Sequence, residues 1–521
     1  MADTEKKRPA YQVRNSLVNY YLLVMFTFFP LFLTNSYGHA RTDKFWLFVI
    51  LTGVLTLAVT AATLLRSKEQ KELSLKNEGF VPLTAPDIAM LGFFVFAVIS
   101  AFLSDHFEDT IIAGVGRNNG LVLLALYLSA YFIVTRLYIF KEYVIAAYLV
   151  FSSFVSLLAV LNFYYIDPLG ILNGYSERVA EDFGSTIGNK NMIASFICVF
   201  LPIAVMMFVL TKKRYMKILS GVSVGIAYAG LICADSNSGY LGLGAVILFM
   251  LIFCSRDYDR FRNYMFALGI LFSSGKILRL FSLMMNDHSK KFETIPKFLL
   301  FDPVMVIPAI FFLLVFIVMT VFKRQLEPIY SPRFMTVTFI AVLVLLFCSV
   351  AGLFLYFSLI DTERDLGIWS KLLRFNEKWG THRGFMWING MKDFASFDIV
   401  HKLFGSGPDT FYFVFEPHFE ELLKFGDSST DCIHNEYLNY LVTQGILGIA
   451  AYLTLIISVI VRAIKTSFKD PITLVFISAV ICYCAQATVN IYQPISTPAM
   501  ILFLSMAEAA NRKYAYEEVV K

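Results

Sequence analysis

Charge is scarce in this chain. Asp, Glu, Lys and Arg make up 16% of its residues, against about a quarter in an ordinary soluble domain, and they are bunched between long apolar runs. With 57% of residues hydrophobic, that shortage excludes a single soluble core and assigns the excess apolar surface to lipid. Cysteine is sparse as well. Of seven, Cys198, Cys233, Cys254, Cys348, Cys482 and Cys484 fall in apolar runs. Only Cys432 falls in a watery loop, so no extracytoplasmic pair exists for a disulfide, and the cysteines read as small core hydrophobes. The net charge of +5 does not point to nucleic acid and fits a basic face lying against anionic lipid. Residues 1–15 are polar and basic but lack the short apolar segment and small-residue site of a cleaved signal, so the first apolar run reads as a retained helix. No internal repeat is evident.

Long apolar runs are what the chain has in abundance. A spanning helix needs about 20 mostly apolar residues. Such runs cover 17–37, 45–65, 87–104, 119–137, 142–165, 190–210, 216–234, 238–255, 263–284, 303–322, 334–360, 435–461, 471–491 and 495–510. The expected fold is therefore all-α: a polytopic transmembrane helical bundle of about fourteen spanning helices. Lys and Arg in the short loops set the orientation. With the N-terminus cytoplasmic, 26 of the 44 fall on the cytoplasmic side, including Lys212, Lys213, Arg214, Lys323 and Arg324. Sixteen fall outward, eight of them in one long loop, and Lys276 and Arg279 lie inside an apolar run. Both termini are thus expected inside and residues 361–433 outside, as one large extracytoplasmic loop.

All seven histidines then face outward: His39, His106, His288, His382, His401, His418 and His434. For the first three, a watery loop is reason enough. The long loop is different, because loops of that length without a role are uncommon. Its stretch 381–397 sets Phe385, Trp387, Met391 and Phe394 among polar residues, which predicts a short amphipathic helix on the membrane surface. The alternative is a plain plug over the bundle.

Three short motifs favour chemistry. Thr381-His382-Arg383-Gly384-Phe385-Met386-Trp387 offers an arginine that can grip a phosphate with two parallel hydrogen bonds. Leu403-Phe404-Gly405-Ser406-Gly407-Pro408-Asp409-Thr410-Phe411 reads as a tight turn. His434-Asn435-Glu436-Tyr437-Leu438, followed by Gln444-Gly445-Ile446-Leu447-Gly448, places a histidine at the mouth of a helix, where it can act as a general base near neutral pH. Four loop histidines spaced by 19, 17 and 16 residues match no common zinc pattern, and no metal site is expected. Lys276 and Arg279 share one helical face; charges inside a span are often functional, but snorkelling or an interfacial helix is the favoured reading here.

In this order, after eleven apolar runs, the motifs resemble those of the O-antigen ligase and polymerase superfamily, membrane glycosyltransferases of the C type. The resemblance covers roughly 217–454, between N-terminal helices over 1–216 and C-terminal helices and tail over 455–521. Arg383, Gly405/Gly407/Pro408 and His434/Asn435/Leu438 match the family's elements. Upstream, Gly188-Asn189-Lys190-Asn191 looks like its Gly-Asn-x-Asn helix entry, and Gly116-Arg117-Asn118-Asn119-Gly120 like its Arg-Asn-Gly element. There is one departure. Where members usually carry Ser-Arg in a short outward turn, this chain reads Asp235-Ser236-Asn237-Ser238, so Asn237 stands at the arginine's place; Arg117, Arg178 or Lys190 are the candidate substitutes.

The resemblance implies transfer of a glycan from a polyprenyl diphosphate carrier to an acceptor hydroxyl outside the cytoplasmic membrane, in cell-surface polysaccharide assembly. The partners would be the lipid-linked donor, a glycan or lipid-glycan acceptor and membrane lipids. No cofactor, nucleotide sugar, metal or nucleic acid would take part. His434 is the expected base and Arg383 the diphosphate clamp, with Arg117 and Asn191 in support. A polymerase joining lipid-linked repeat units is the alternative within the family. A transporter or flippase is the alternative outside it, although the inverted repeats and interrupted helices typical of transporters are not evident.

Overall fold

The computed structural model describes residues 9–34, 37–65, 83–112, 115–285, 288–292 and 294–519. The first eight residues of the basic N-terminus and the basic loop 66–82 lie outside the described residues. Long helices coincide with all the predicted apolar runs: α1 Pro9–Leu31, α2 Ala40–Leu64, α3 Ala85–Leu103, α4 Leu121–Leu137, α5 Glu142–Phe163, α6 Lys190–Leu210, α7 Arg214–Ala234, α8 Asn237–Cys254, α9 Tyr258–Met284, α10 Val306–Val321, α11 Pro332–Leu359, α12 Glu436–Thr466, α13 Ile472–Ala487 and α14 Thr497–Val519. Among the described residues, ten helical stretches are long and apolar enough to cross a bilayer, while α4 and α13 are apolar but shorter. Strand is almost lacking. The described part of the sheet is one antiparallel pair, Phe183–Gly184 with Gly188–Asn189, leading into Asn189 as the N-cap of α6.

Burial sorts the helices. In the apolar stretch of α6, 94% of residues are buried, so it is the centre of the bundle; in that of α11 none are. Along α11 even consecutive residues such as Leu345, Leu346 and Phe347 are exposed. A stretch apolar and bare on every face is stable only in hydrocarbon, which agrees with a multi-pass membrane protein. Lys276 and Arg279 are explained locally. Lys276 Nζ donates to the carbonyls of Leu300 and Asp302 at 3.2 and 2.7 Å, and the Arg279 guanidinium lies 4.4 Å from the Phe301 ring centre. Both side chains tie the short helix Thr294–Phe301 to α9.

The long loop differs from expectation in two respects. The apolar face of its helix Trp379–Ser396 is turned largely into the protein. Phe385, Met386 and Phe394 pack with Phe411, Phe415, Leu422, Ile433 and Val442 into a second core, separate from that of the bundle. Burying large apolar side chains together releases more water than leaving them at a polar interface, so the loop folds as a small packed body seated on α12 through Val442. Cys432 is also not in water: it is 0% exposed, and burial pushes its thiol up to about 12.

Candidate active site

The site is assembled where α12 begins and where it breaks. Asn435 caps α12, its Oδ1 accepting from the amides of Tyr437 and Leu438 at 3.0 and 3.1 Å, as an asparagine N-cap should. Ten residues on, Gly445 leaves helical geometry at φ 69°, ψ −176°. The break frees two carbonyls for the Gly-Ser-Gly-Pro turn: Ser406 N donates to Val442 O at 3.1 Å and Gly407 N to Thr443 O at 3.0 Å. Ser100 Oγ of α3 donates to the same Thr443 carbonyl at 2.8 Å. A Cβ on Gly445 would fall 2.3 Å from Leu403 O, so only glycine permits this seating.

The turn in turn presents Asp409. Its Oδ2 accepts from the amides of Arg117 and Asn119 at 2.6 and 3.0 Å, and its Oδ1 from Tyr492 Oη at 2.5 Å. Asn439 Nδ2 donates to Tyr492 Oη at 2.9 Å, and Asn439 Oδ1 accepts from Ile433 N at 3.2 Å. A buried chain of hydrogen bonds therefore locks the Arg117 loop to the residue before His434. Burial pushes the Asp409 carboxyl up to about 6 against those hydrogen bonds. On the other side, Trp387 Nε1 donates to Ile433 O at 3.0 Å. Arg383 enters its helix through Gly380, Thr381 and His382, all left-handed. Gly384 packs against Asn376 so closely that a Cβ would lie 1.8 Å from that residue's carbonyl oxygen.

These supports converge on His434. Arg383 and Arg117 lie near enough for their charges to bear on its ring. Burial and then the two guanidiniums hold the imidazole far below its usual range, at about 3, with Asp431 opposing them. The ring is thus neutral near pH 7, and the same surroundings make it a weak base until an anion offsets the two guanidiniums. Its Nδ1 is buried without a hydrogen-bond partner, and unpaired buried polar atoms call for an explanation. Arg117 Nε donates to Asp431 Oδ1 at 2.8 Å. Burial opposes the Asp431 charge, but Arg117 outweighs it and holds that carboxyl below the usual range. A cleft of about 410 Å³ opens here, lined by Arg117, Met386, Tyr412, Asp431 and His434 among others. Of eight non-glycine residues with positive φ among the described residues, Asn118, Thr381, His382, Asp409 and His434 belong to the segments that build this site. Backbone strain concentrated in this way is characteristic of functional sites.

Not every expected residue joins. Asn191 Oδ1 accepts from Ser236 Oγ at 2.6 Å and its carbonyl from Asn490 Nδ2 at 3.4 Å, which places it at the α7–α8 turn. Lys190 pairs with Asp182 at 3.2 Å. The side chain of Arg178 lies outside the described residues. The remaining loop histidines go to separate partners: His401 to Asp398 and His418 to Asp393, both at 3.0 Å, and His382 against the Phe425 ring. Asp431 and Arg41 escaped the reading of the sequence, since nothing in their local pattern marks them; Asp409 was visible only as part of a turn.

No curated protein matches the chain. Residues 304–453 match the family model described as O-Antigen ligase. The match runs from α10 through the long loop to the first half of α12. It is narrower at its start than the resemblance drawn from the motifs, and it includes Arg383 and His434 but neither Arg117 nor Asn191. Over this stretch, which carries Arg383 and His434, the chain is similar to the O-antigen ligase family.

Proposed function

We propose that the protein transfers a glycan from a polyprenyl diphosphate carrier to an acceptor hydroxyl, at the outer face of the cytoplasmic membrane. The observation that carries this reading is His434 lining one cleft with Arg117, with the charge of Arg383 also bearing on its ring. In the step proposed, His434 accepts the proton of the acceptor hydroxyl as its oxygen bonds to the anomeric carbon. The bond from that carbon to the diphosphate oxygen breaks, and its electron pair leaves on the polyprenyl diphosphate. Arg383 and Arg117 receive that developing charge. Fixed positive groups in a site shielded from water are worth far more than in solution, and a positioned base contributes about 10²–10⁴ in rate. The lipid carrier is already the activated donor, so neither nucleotide sugar nor metal enters the step.

Two experiments test the reading. Purified protein given carrier-linked donor and acceptor should release polyprenyl diphosphate in step with glycan transfer; a single added chain indicates a ligase and a ladder of repeats a polymerase. Release without transfer would refute the reaction. Ser428 is exposed in the loop, so Ser428→Cys should react with an impermeant thiol reagent in whole cells. Labelling only after lysis would place the loop on the cytoplasmic side and remove the proposed orientation.

A further inference from the structure

A third guanidinium reaches the carboxylate that holds Arg117. Arg41, in the first turn of α2, donates from Nη1 to Asp431 Oδ2 at 3.5 Å, while Arg117 Nε donates to Asp431 Oδ1 at 2.8 Å. The two arginines arrive from segments 76 residues apart, and Asp431 from nearly 400 residues beyond Arg41. Each arginine has five N–H donors and gives Asp431 one nitrogen. The side chains of Arg41 and Asp431 are 34% and 24% exposed, and Asp431 lines the same cleft as His434. Resting on the transfer reading above, we propose that Arg41 is a further diphosphate-binding residue and that Asp431 is the positioning residue that sets Arg41 and Arg117 as a pair.

The physical case is one of spacing. Two guanidiniums at one site repel, and left alone they would splay. A carboxylate taking one nitrogen from each fixes their separation and leaves the other donors for a ligand. A diphosphate carries more negative charge than one carboxylate and more acceptor oxygens, so it can engage both forks, as planar guanidiniums bind phosphate best. The competing account makes Asp431 a plain counter-ion that only neutralises excess positive charge. The two accounts give opposite signs when the carboxylate is neutralised. A counter-ion's removal strengthens anion binding; a positioning residue's removal weakens it.

The test titrates the purified full chain in detergent with inorganic pyrophosphate, as a metal-free sodium salt, by calorimetry. Wild-type protein should bind. Arg41→Gln should weaken binding roughly tenfold to hundredfold, the range of a lost charge-assisted hydrogen bond. Asp431→Asn should also weaken it, although a like charge has been removed. Arg41→Lys, which keeps the charge but not the planar fork, should bind severalfold more weakly and serves if the glutamine variant does not accumulate. Wild-type affinity in either Arg41 variant, tighter binding in Asp431→Asn, or no binding by the wild type would overturn the proposal. If His434→Gln abolishes transfer while Arg41→Gln binds pyrophosphate normally, the transfer reading stands and this inference alone falls.

Discussion

Among the described residues a polar cluster meets α3 toward each of its ends, and the two differ in their access to solvent. Ser100 of α3 touches the site through Thr443; Asp87, thirteen residues earlier and so about 20 Å away along the helix, anchors the other cluster. There Asp87 accepts from Arg136 Nη1 at 3.0 Å and Arg512 Nη1 at 2.5 Å, and Glu508 from Arg462 Nε at 3.1 Å. Both carboxylates are 0% exposed and both meet guanidiniums. At the loop-bearing end, Arg117 and Arg41 share Asp431, which lines the cleft, and the buried Nδ1 of His434 lacks a hydrogen-bond partner. The Asp87 cluster shuts both carboxylates from solvent and meets them with guanidiniums, since an uncompensated buried charge is costly. The loop-bearing cluster leaves Asp431 24% exposed at the cleft, and under the transfer reading it is the one that takes up the anion.

The comparison can be broken at either end. The largest effect is expected at His434. Glutamine keeps a hydrogen-bonding group but cannot take the proton, so His434→Gln should lower turnover about 10²–10⁴-fold with normal accumulation of the protein. Near-wild-type turnover would reduce His434 to a structural role. Next comes Asp87→Asn, which leaves Arg136 and Arg512 uncompensated and should cost about 3–5 kcal/mol of stability. Thermal unfolding and membrane accumulation should both register it, while turnover per folded molecule stays the same. A loss of turnover at full stability would mean that the two clusters do not divide structure from chemistry.

Arg383→Lys should sharpen the contrast. Lysine retains the charge but not the two-pronged geometry, and transfer should fall roughly tenfold to hundredfold, the equivalent of one charge-assisted hydrogen bond. Full activity would show that charge alone suffices there. The smallest effect is in the pH profile. Guanidiniums disfavour imidazolium, and a bound diphosphate offsets them, so the ligand should raise the pKa of His434 from its depressed value. Because kcat reports the bound enzyme and kcat/KM the free one, the acid limb of kcat should lie at higher pH than that of kcat/KM, by roughly one unit. Coincident limbs would separate the base from the arginines.

The helices were legible because the signal that encodes them is local. Each apolar run became a helix, most within a few residues of the predicted bounds, though α1 begins eight residues early, α14 ends nine late, and α4 and α13 are shorter than a span. The nearness of Arg383 to His434 was suggested by two short motifs, each with its own glycine or helix cap. Asn191 was placed by an Asn-x-Asn helix entry whose look does not reveal what its side chain meets, here Ser236. The amphipathic stretch 381–397 was legible only in part. Its periodicity showed a buried face but not what buries it, and Phe411, Phe415 and Val442 supply the answer from elsewhere in the chain.

By itself the sequence determined the all-helical architecture, because apolar length is a property of each segment alone. Only the tertiary structure decided that Arg41, Arg117 and Asp431 meet. Their pairing depends on α2, the loop before α4 and the end of the long loop converging. That convergence is fixed by the break at Gly445 and by the hydrogen-bonded chain from Asp409 to Ile433, where the energetic need to satisfy buried backbone and carboxylate groups selects one arrangement.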